Sequence, residues 1–393
     1  MDEAYRLRLN FRSKGRLEGQ IGATMKRNEG LTRVRKATAM FIGAAFAWSA
    51  VTGAGAQATQ PKAPGHWAIV IHGGAGDIER AKLGPEGDKA YRAALAKVVE
   101  AGAAVLDRGG SSLDAVEAAI RVLEDDPLFN ASRGAVFTAE GKTELDAAIM
   151  DGATLHAGAV ADVTHTRYPI TLARAVMEKT PYVLLVGPGA DAYSKQAGME
   201  QVDPSYFFTE SRWQSLIKQL QNEGRPIPPR PAGVPPQGTT KPVAQWREAA
   251  DMRRYGTVGV VAVDRQGNVA AGTSTGGLQG KMPGRVGDSP IIGAGTYASN
   301  KSCAVSATGS GEYFIRLGVA REVCNLVAFK GMGLQQAADQ VIHQELEALH
   351  GDGGVIAITP DGQMVWSFNT PGMFRARQTE GGKVEIKIYS DEP

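Results

Sequence analysis

The chain has 393 residues, enough for one large domain or two average ones, and 43% hydrophobic content can build a sizeable core. Its net charge of +2 hides a basic front: residues 1–58 hold ten Lys/Arg and four Asp/Glu, against 33 and 37 in residues 59–393. The mildly acidic remainder argues against a nucleic-acid partner, and two cysteines alone cannot complete a four-ligand zinc site.

Arg33, Arg35 and Lys36 precede an apolar run over 37–51, and Ala56-Gln57-Ala58 follows as a small-x-small pattern. Residues 1–58 therefore read as a secretory leader cleaved before Thr59, which predicts export to the periplasm; an uncleaved interfacial anchor is the other reading. The apolar run is short for a membrane span. Met25, followed by Lys26 and Arg27, competes with Met1 as the start.

Residues 67–71 are predicted as a strand running into His72-Gly73-Gly74-Ala75-Gly76, which lacks the G-x-G-x-x-G spacing of a dinucleotide loop. Helical spacing covers 91–108 and 112–125, with Ser112 as N-cap. Strands are predicted at 135–138, 147–150, 157–163 and 182–186, and helices at 171–179, 190–197 and 209–222. Seven prolines between 226 and 242 break all periodicity, so 223–245 reads as a flexible linker. Beyond it come two hairpin-connected strands from Val258, a strand at 302–307 and helices at 311–330 and 334–350. A hairpin follows around Pro360-Asp361-Gly362. Cys303 falls in a strand and Cys324 in a helix, and the preferred reading is two buried free thiols.

Gly256-Thr257-Val258-Gly259-Val260 carries the chemistry. Taken alone such a string also reads as a plain strand start; if the bond between Gly256 and Thr257 is cut, Thr257 becomes the first residue of a strand. Its hydroxyl is the nucleophile, and its new α-amine, with an unperturbed pKa of about 8, is the base. The predicted halves are 59–256 and 257–393, within one domain.

Downstream lie Thr273-Ser274-Thr275-Gly276-Gly277, then Gly284-Arg285-Val286-Gly287-Asp288, then Thr308-Gly309-Ser310-Gly311-Glu312. With the His72 cluster, these segments resemble in order the plant-type L-asparaginase / isoaspartyl peptidase family of N-terminal-nucleophile hydrolases. The resemblance covers roughly 67–374. It implies an α+β fold arranged as a four-layer αββα sandwich, and an autoprocessing threonine hydrolase acting on β-aspartyl dipeptides and L-asparagine. A glycosylasparaginase-type amidase and a non-catalytic scaffold of the same fold are the rival readings; glycosylasparaginases usually have Asp before the nucleophile.

By the same resemblance, Thr275 orients the nucleophile, with Thr273 as a nearby competitor that only the family register sets aside. Arg285 and Asp288 clamp the carboxylate and ammonium of the aspartyl group, through a guanidinium fork and an acceptor. Thr308 and Gly309 form the oxyanion hole, and Gly311 offers its carbonyl to the substrate amine. His72 reads as structural, and Asn130 matches a family position near the site without an assigned role. Main-chain carbonyls of Leu123, Glu124, Asp126, Phe129, Ala131 and Arg133 are implied to hold a structural sodium ion, with no organic cofactor. The implied assembly is an (αβ)₂ homodimer. Sequence leaves the preference between isoaspartyl dipeptides and asparagine open.

Overall fold

The computed structural model describes residues 65–236, Thr239 and residues 256–392, within one compact unit, Ala58–Pro393. The expected leader, its cleavage point and linker residues 237, 238 and 240–245 lie outside the described residues. Among the described residues, no helix is long and apolar enough to cross a membrane.

Helices and sheets combine in an α+β arrangement. The larger sheet joins β1 (Ala68–Gly76), β2 (Leu145–Asp151), β3 (Ala157–Val163), β4 (Leu184–Val186), β5 (Val258–Val263), β6 (Val269–Thr275), β11 (Gly372–Thr379) and β12 (Glu385–Tyr389). Its order is β12-β11-β1-β5-β6-β2-β3-β4, and only β3–β4 is parallel. The smaller sheet, β10-β9-β8-β7, comprises β7 (Thr296–Ala298), β8 (Ala304–Gly309), β9 (Gly353–Ile358) and β10 (Met364–Phe368).

Period-two alternation decides which side chains face which layer. Ile69, Ile71, Val258, Val260, Leu145 and Ile149 pack against α1 (Arg80–Asp107), α2 (Ser112–Asp125) and α3 (Pro169–Lys179). Their alternates Val70, Val261, Ala271 and Met150 meet Ala304, Ile356 and Ile358 of the smaller sheet. On β8 and β9, Val305, Ala307, Val355 and Ala357 instead face helices Gly311–Leu317 (α6), Val319–Lys330 (α7) and Leu334–Gln340 (α8). Strands buried on both faces explain why β5 reads as an unbroken apolar run. By parity, Thr257, Thr273 and Thr275 take the face turned to the smaller sheet.

Several expectations need correction. The first helix begins at Arg80 and breaks at Gly84 (φ 65°), ahead of Pro85. The N-cap of α2 is Ser111, whose side chain accepts from the Asp114 N–H; Ser112 is already helical. Residues 135–138 are no strand, because the N–H groups of Val136 and Phe137 go to the side chains of Asn130 and Gln279. The helix predicted over 311–330 is split at Gly318, which adopts φ 63°. Helix α8 runs into a π-helical turn, Val341–Leu346. Among the described residues there are two further helices: α4 (Gly187–Gln196) packs on β3, and α5 (Glu210–Asn222) packs Trp213, Leu216 and Leu220 on Phe137.

The cysteines are not free: Cys303 and Cys324 form a disulfide. The entry to β8 and the middle of α7 bring their Cα atoms to 5.4 Å, within the span a bridge needs. Sequence spacing carries no such distance.

Candidate active site

The glycine cluster at the end of β1 is a bulge. Pairing of β1 with β11 shifts register between His72 and Ala75, so Gly73 and Gly74 have no ordinary partners. Gly74 takes φ 107°, and a Cβ there would stand 2.7 Å from Gly256 Cα and 3.0 Å from the Gly256 carbonyl carbon. Only glycine lets β1 approach the Gly256-Thr257 bond this closely.

Thr257 is buried at the mouth of β5, and its Oγ1 donates to Thr275 Oγ1 at 3.1 Å. Thr275 Oγ1 also accepts from the Gly277 N–H at 2.9 Å, which fixes its rotamer. Asn130 braces the same turn: its Nδ2 donates to Gly277 O at 2.8 Å, and its carbonyl accepts from the Gly276 N–H at 3.1 Å. Thr273, the competing threonine, lies deeper, bonded to Ser306 Oγ (2.7 Å) and Thr296 Oγ1 (2.6 Å).

His72 Nδ1 lies 3.1 Å from Thr257 O and Nε2 lies 3.0 Å from Ser306 Oγ. A carbonyl can only accept, so Nδ1 carries the proton and Nε2 accepts from Ser306. Complete burial holds this imidazole down at about 3, so it is neutral at any physiological pH. His72 thus fixes the backbone of Thr257 and offers no proton.

Across the gap, Thr308 Oγ1 is buried at the end of β8 and accepts from the Ala75 N–H at 3.3 Å, leaving its own proton for another acceptor. Gly309 follows at φ 152°; a Cβ there would stand 2.3 Å from Asp352 O. Arg285 and Asp288 do not pair with each other. Arg285 bonds Glu312 on α6 through Nε and Nη2, both at 2.9 Å. Asp288 is buried with Oδ2 lacking any hydrogen-bond partner, and burial pushes its carboxyl up to about 7. Both converge on Gly311, where a Cβ would meet Asp288 Oδ1 at 2.8 Å and Arg285 Nη2 at 2.9 Å. The bare α-carbon of Gly311 thus stands beside a guanidinium and a carboxyl group that has one oxygen without a partner.

Sequence reasoning missed a second buried acid. Asp146 sits opposite Thr275 in the β2–β6 register, accepts from the Asp162 N–H at 2.9 Å, and leaves Oδ2 unpartnered. Lys281, equally buried, donates to Glu144 O at 3.0 Å. Strand parity was the available signal, because Asp146 shares the face of Thr275.

The carbonyls proposed for an alkali cation can be tested on hydrogen bonding. Leu123 and Glu124 lie in the last turn of α2, where carbonyls lose helical partners. Pro127 has no N–H for Leu123, and the Leu128 N–H turns to Asp126 Oδ1 at 3.0 Å rather than to Glu124. Asp126 O and Ala131 O each accept one N–H, from Phe129 and Gly134, and keep a second lone pair. The Arg133 guanidinium lies over the Tyr206 ring at 5.6 Å, so that residue offers its carbonyl alone. The carbonyls of Leu123, Glu124, Asp126 and Ala131 are thus hard oxygen donors with lone pairs to spare, the donor type a sodium ion takes.

The family model described as asparaginase matches residues 65–388. Over 330 residues the chain is 44% identical to the isoaspartyl peptidase of Salmonella typhimurium, covering 82% of this chain and 98% of that one. It is 42% identical to the probable isoaspartyl peptidase/L-asparaginase 2 of Arabidopsis thaliana, covering 83% and 99%. The plant-type L-asparaginase of Pyrococcus furiosus is 40% identical, with 80% and 97% covered. A match of this extent places the chain in the asparaginase family, together with the isoaspartyl peptidases and plant-type L-asparaginases.

Proposed function

We propose that this protein is an autoprocessing threonine hydrolase that cleaves β-aspartyl dipeptides and L-asparagine. The observation that carries the reading is the Thr257 hydroxyl 3.1 Å from Thr275, directly after a glycine pressed upon by Gly74. In the uncut chain the Thr257 hydroxyl attacks the Gly256 carbonyl, the acyl group moves from nitrogen to oxygen, and water releases it. The freed α-amine then takes the hydroxyl proton as Thr257 attacks the side-chain amide of the substrate. Arg285 and Asp288 hold the substrate's α-carboxylate and α-ammonium. Charge on the tetrahedral oxygen falls to the Thr308 hydroxyl and the Gly309 N–H; a preorganised donor of this kind is worth about 3–4 kcal/mol. The amine or ammonia leaves, and water hydrolyses the β-aspartyl ester.

The same reading takes the fold as four layers, αββα, because helices cover the outer face of each sheet while the inner faces share one apolar cluster. The carbonyls of Leu123, Glu124, Asp126, Phe129, Ala131 and Arg133 would hold a sodium ion that stiffens the loop below Asn130. The processed unit is taken as an (αβ)₂ dimer, exported to the periplasm. The Cys303–Cys324 bridge suits an oxidising compartment.

An intact-mass spectrum under denaturing conditions tests the central claim. Two chains, the smaller starting at Thr257, are expected, and Thr257→Ala should stay uncut and inactive. A wild-type chain that remains whole for days at neutral pH overturns the reading.

A further inference from the structure

A cleft of about 750 Å³ opens between the loop after Thr275 and the start of α6. Leu278 and Gln279 form one wall; Glu312, Tyr313 and Arg316 form the other; Arg225 closes one side. The cleft neighbours the candidate site along the chain: Leu278 lies three positions past Thr275, Ser310 directly follows Gly309, and Glu312 is bonded to Arg285. The space exceeds that of an ammonia-sized product, roughly 30 Å³, by more than tenfold. It is sized for something larger.

The cations around it are unequally engaged. Arg225 bonds Glu223 at 2.8 Å and Lys281 bonds Glu144, while Arg285, outside the lining, bonds the lining residue Glu312. Arg316 differs. Its ordinary partner one helical turn earlier is Glu312, which Arg285 has taken. Among the described residues its guanidinium meets the Tyr313 ring, at 5.5 Å, and no carboxylate. One turn of helix places Arg316 about 6 Å farther along the axis from Gly311 than Glu312.

We propose that this cleft is the leaving-residue subsite, and that Arg316 receives the free α-carboxylate of the residue released from a β-aspartyl dipeptide. This rests on reading the site as a β-aspartyl hydrolase. It assigns the enzyme a preference for dipeptides with a free C-terminal carboxylate over asparagine and over C-terminally amidated dipeptides.

The test is kcat/KM for β-Asp-Leu, β-Asp-leucinamide and L-asparagine, in wild type, Arg316→Ala and Arg316→Lys. In Arg316→Ala the ratio of β-Asp-Leu to asparagine should fall about 10- to 100-fold, the size of one charge-assisted hydrogen bond. The ratio of β-Asp-Leu to its amide should fall towards one, and Arg316→Lys should recover part of both. Ratios that stay at wild-type values overturn the subsite, whether all three activities fall together or none does. A wild type inert on all three substrates overturns the hydrolase reading itself, a different failure.

Discussion

The Nδ1 atom of His72 stands 3.1 Å from the carbonyl oxygen of Thr257, so a buried neutral imidazole on β1 holds the backbone of the proposed nucleophile just ahead of β5. Because burial depresses this pKa from 6.5 to about 3, the unfolded chain takes up a proton that the folded site refuses. The stability this group contributes is present above pH 6.5 and lost as pH falls towards 3, by up to about 1.4 kcal/mol per unit. Urea denaturation of wild type and His72→Asn should therefore show a stability difference that shrinks between pH 7 and pH 4. A difference independent of pH contradicts the neutral imidazole.

Asp288 has the opposite sign. Its carboxyl is raised by burial to about 7, so its stabilising neutral form is lost as pH rises through that value. Asp288→Asn should melt higher than wild type at pH 8, with the gap closing by pH 4, yet lose about 100-fold or more in kcat/KM. In wild type, kcat/KM should fall below pH 7 on a limb that kcat lacks, because bound ammonium pins the carboxylate. The α-amine of Thr257 would bend both profiles. The two groups are thereby separable in one titration.

Arg285 is oriented by Glu312 before any substrate arrives. Lysine has neither the fork to keep that bond nor the second N–H for a carboxylate, so Arg285→Lys should cost about 100-fold in kcat/KM for asparagine. Glu312→Gln keeps a weaker acceptor and should raise KM several-fold with a smaller change in kcat. Near-normal turnover by Arg285→Lys would remove the clamp from the mechanism.

How far the sequence reveals all this depends on whether the signal is local. Strand parity from Val258 to Val263 and at 147–150 assigns the inner and outer faces, and with them the side on which Thr257 and Thr275 meet. Contacts made by side chains far apart in sequence leave no such trace. Residues 135–138 have strand composition, yet Asn130 and Gln279 take the N–H groups a ladder needs. Strands β11 and β12 went unpredicted because mixed residues such as Arg375, Gln378 and Lys387 blur their alternation. The bond between Arg285 and Glu312 spans 27 positions, and only the turn from β8 into α6 closes it.

The disulfide between Cys303 and Cys324 closes a loop of 21 positions from β8 to α7. Chain-entropy arguments assign such a loop about 3 kcal/mol. Cys303→Ala with Cys324→Ala should lower the urea-derived stability by that order, with little change in kcat, since neither sulfur lines the site. A double variant as stable as wild type would show that packing of α7 on β8 suffices.

Gly74 and Gly76 make a controlled pair on one strand. Both have positive φ, 107° and 151°, so alanine strains the backbone at either. Only at Gly74 is the space taken: the new Cβ would stand 2.7 Å from Gly256 Cα, whereas nothing lies within 4 Å at Gly76. Gly74→Ala must push β1 away from the bond proposed to be cut, and a misplacement of about 1 Å can cost an attack about 100-fold. Its autoprocessing, followed by intact mass, should slow more than tenfold. Gly76→Ala should be less stable than wild type and still process. Equal processing by both variants would mean that the approach of Gly74 to Gly256 plays no part in the cut.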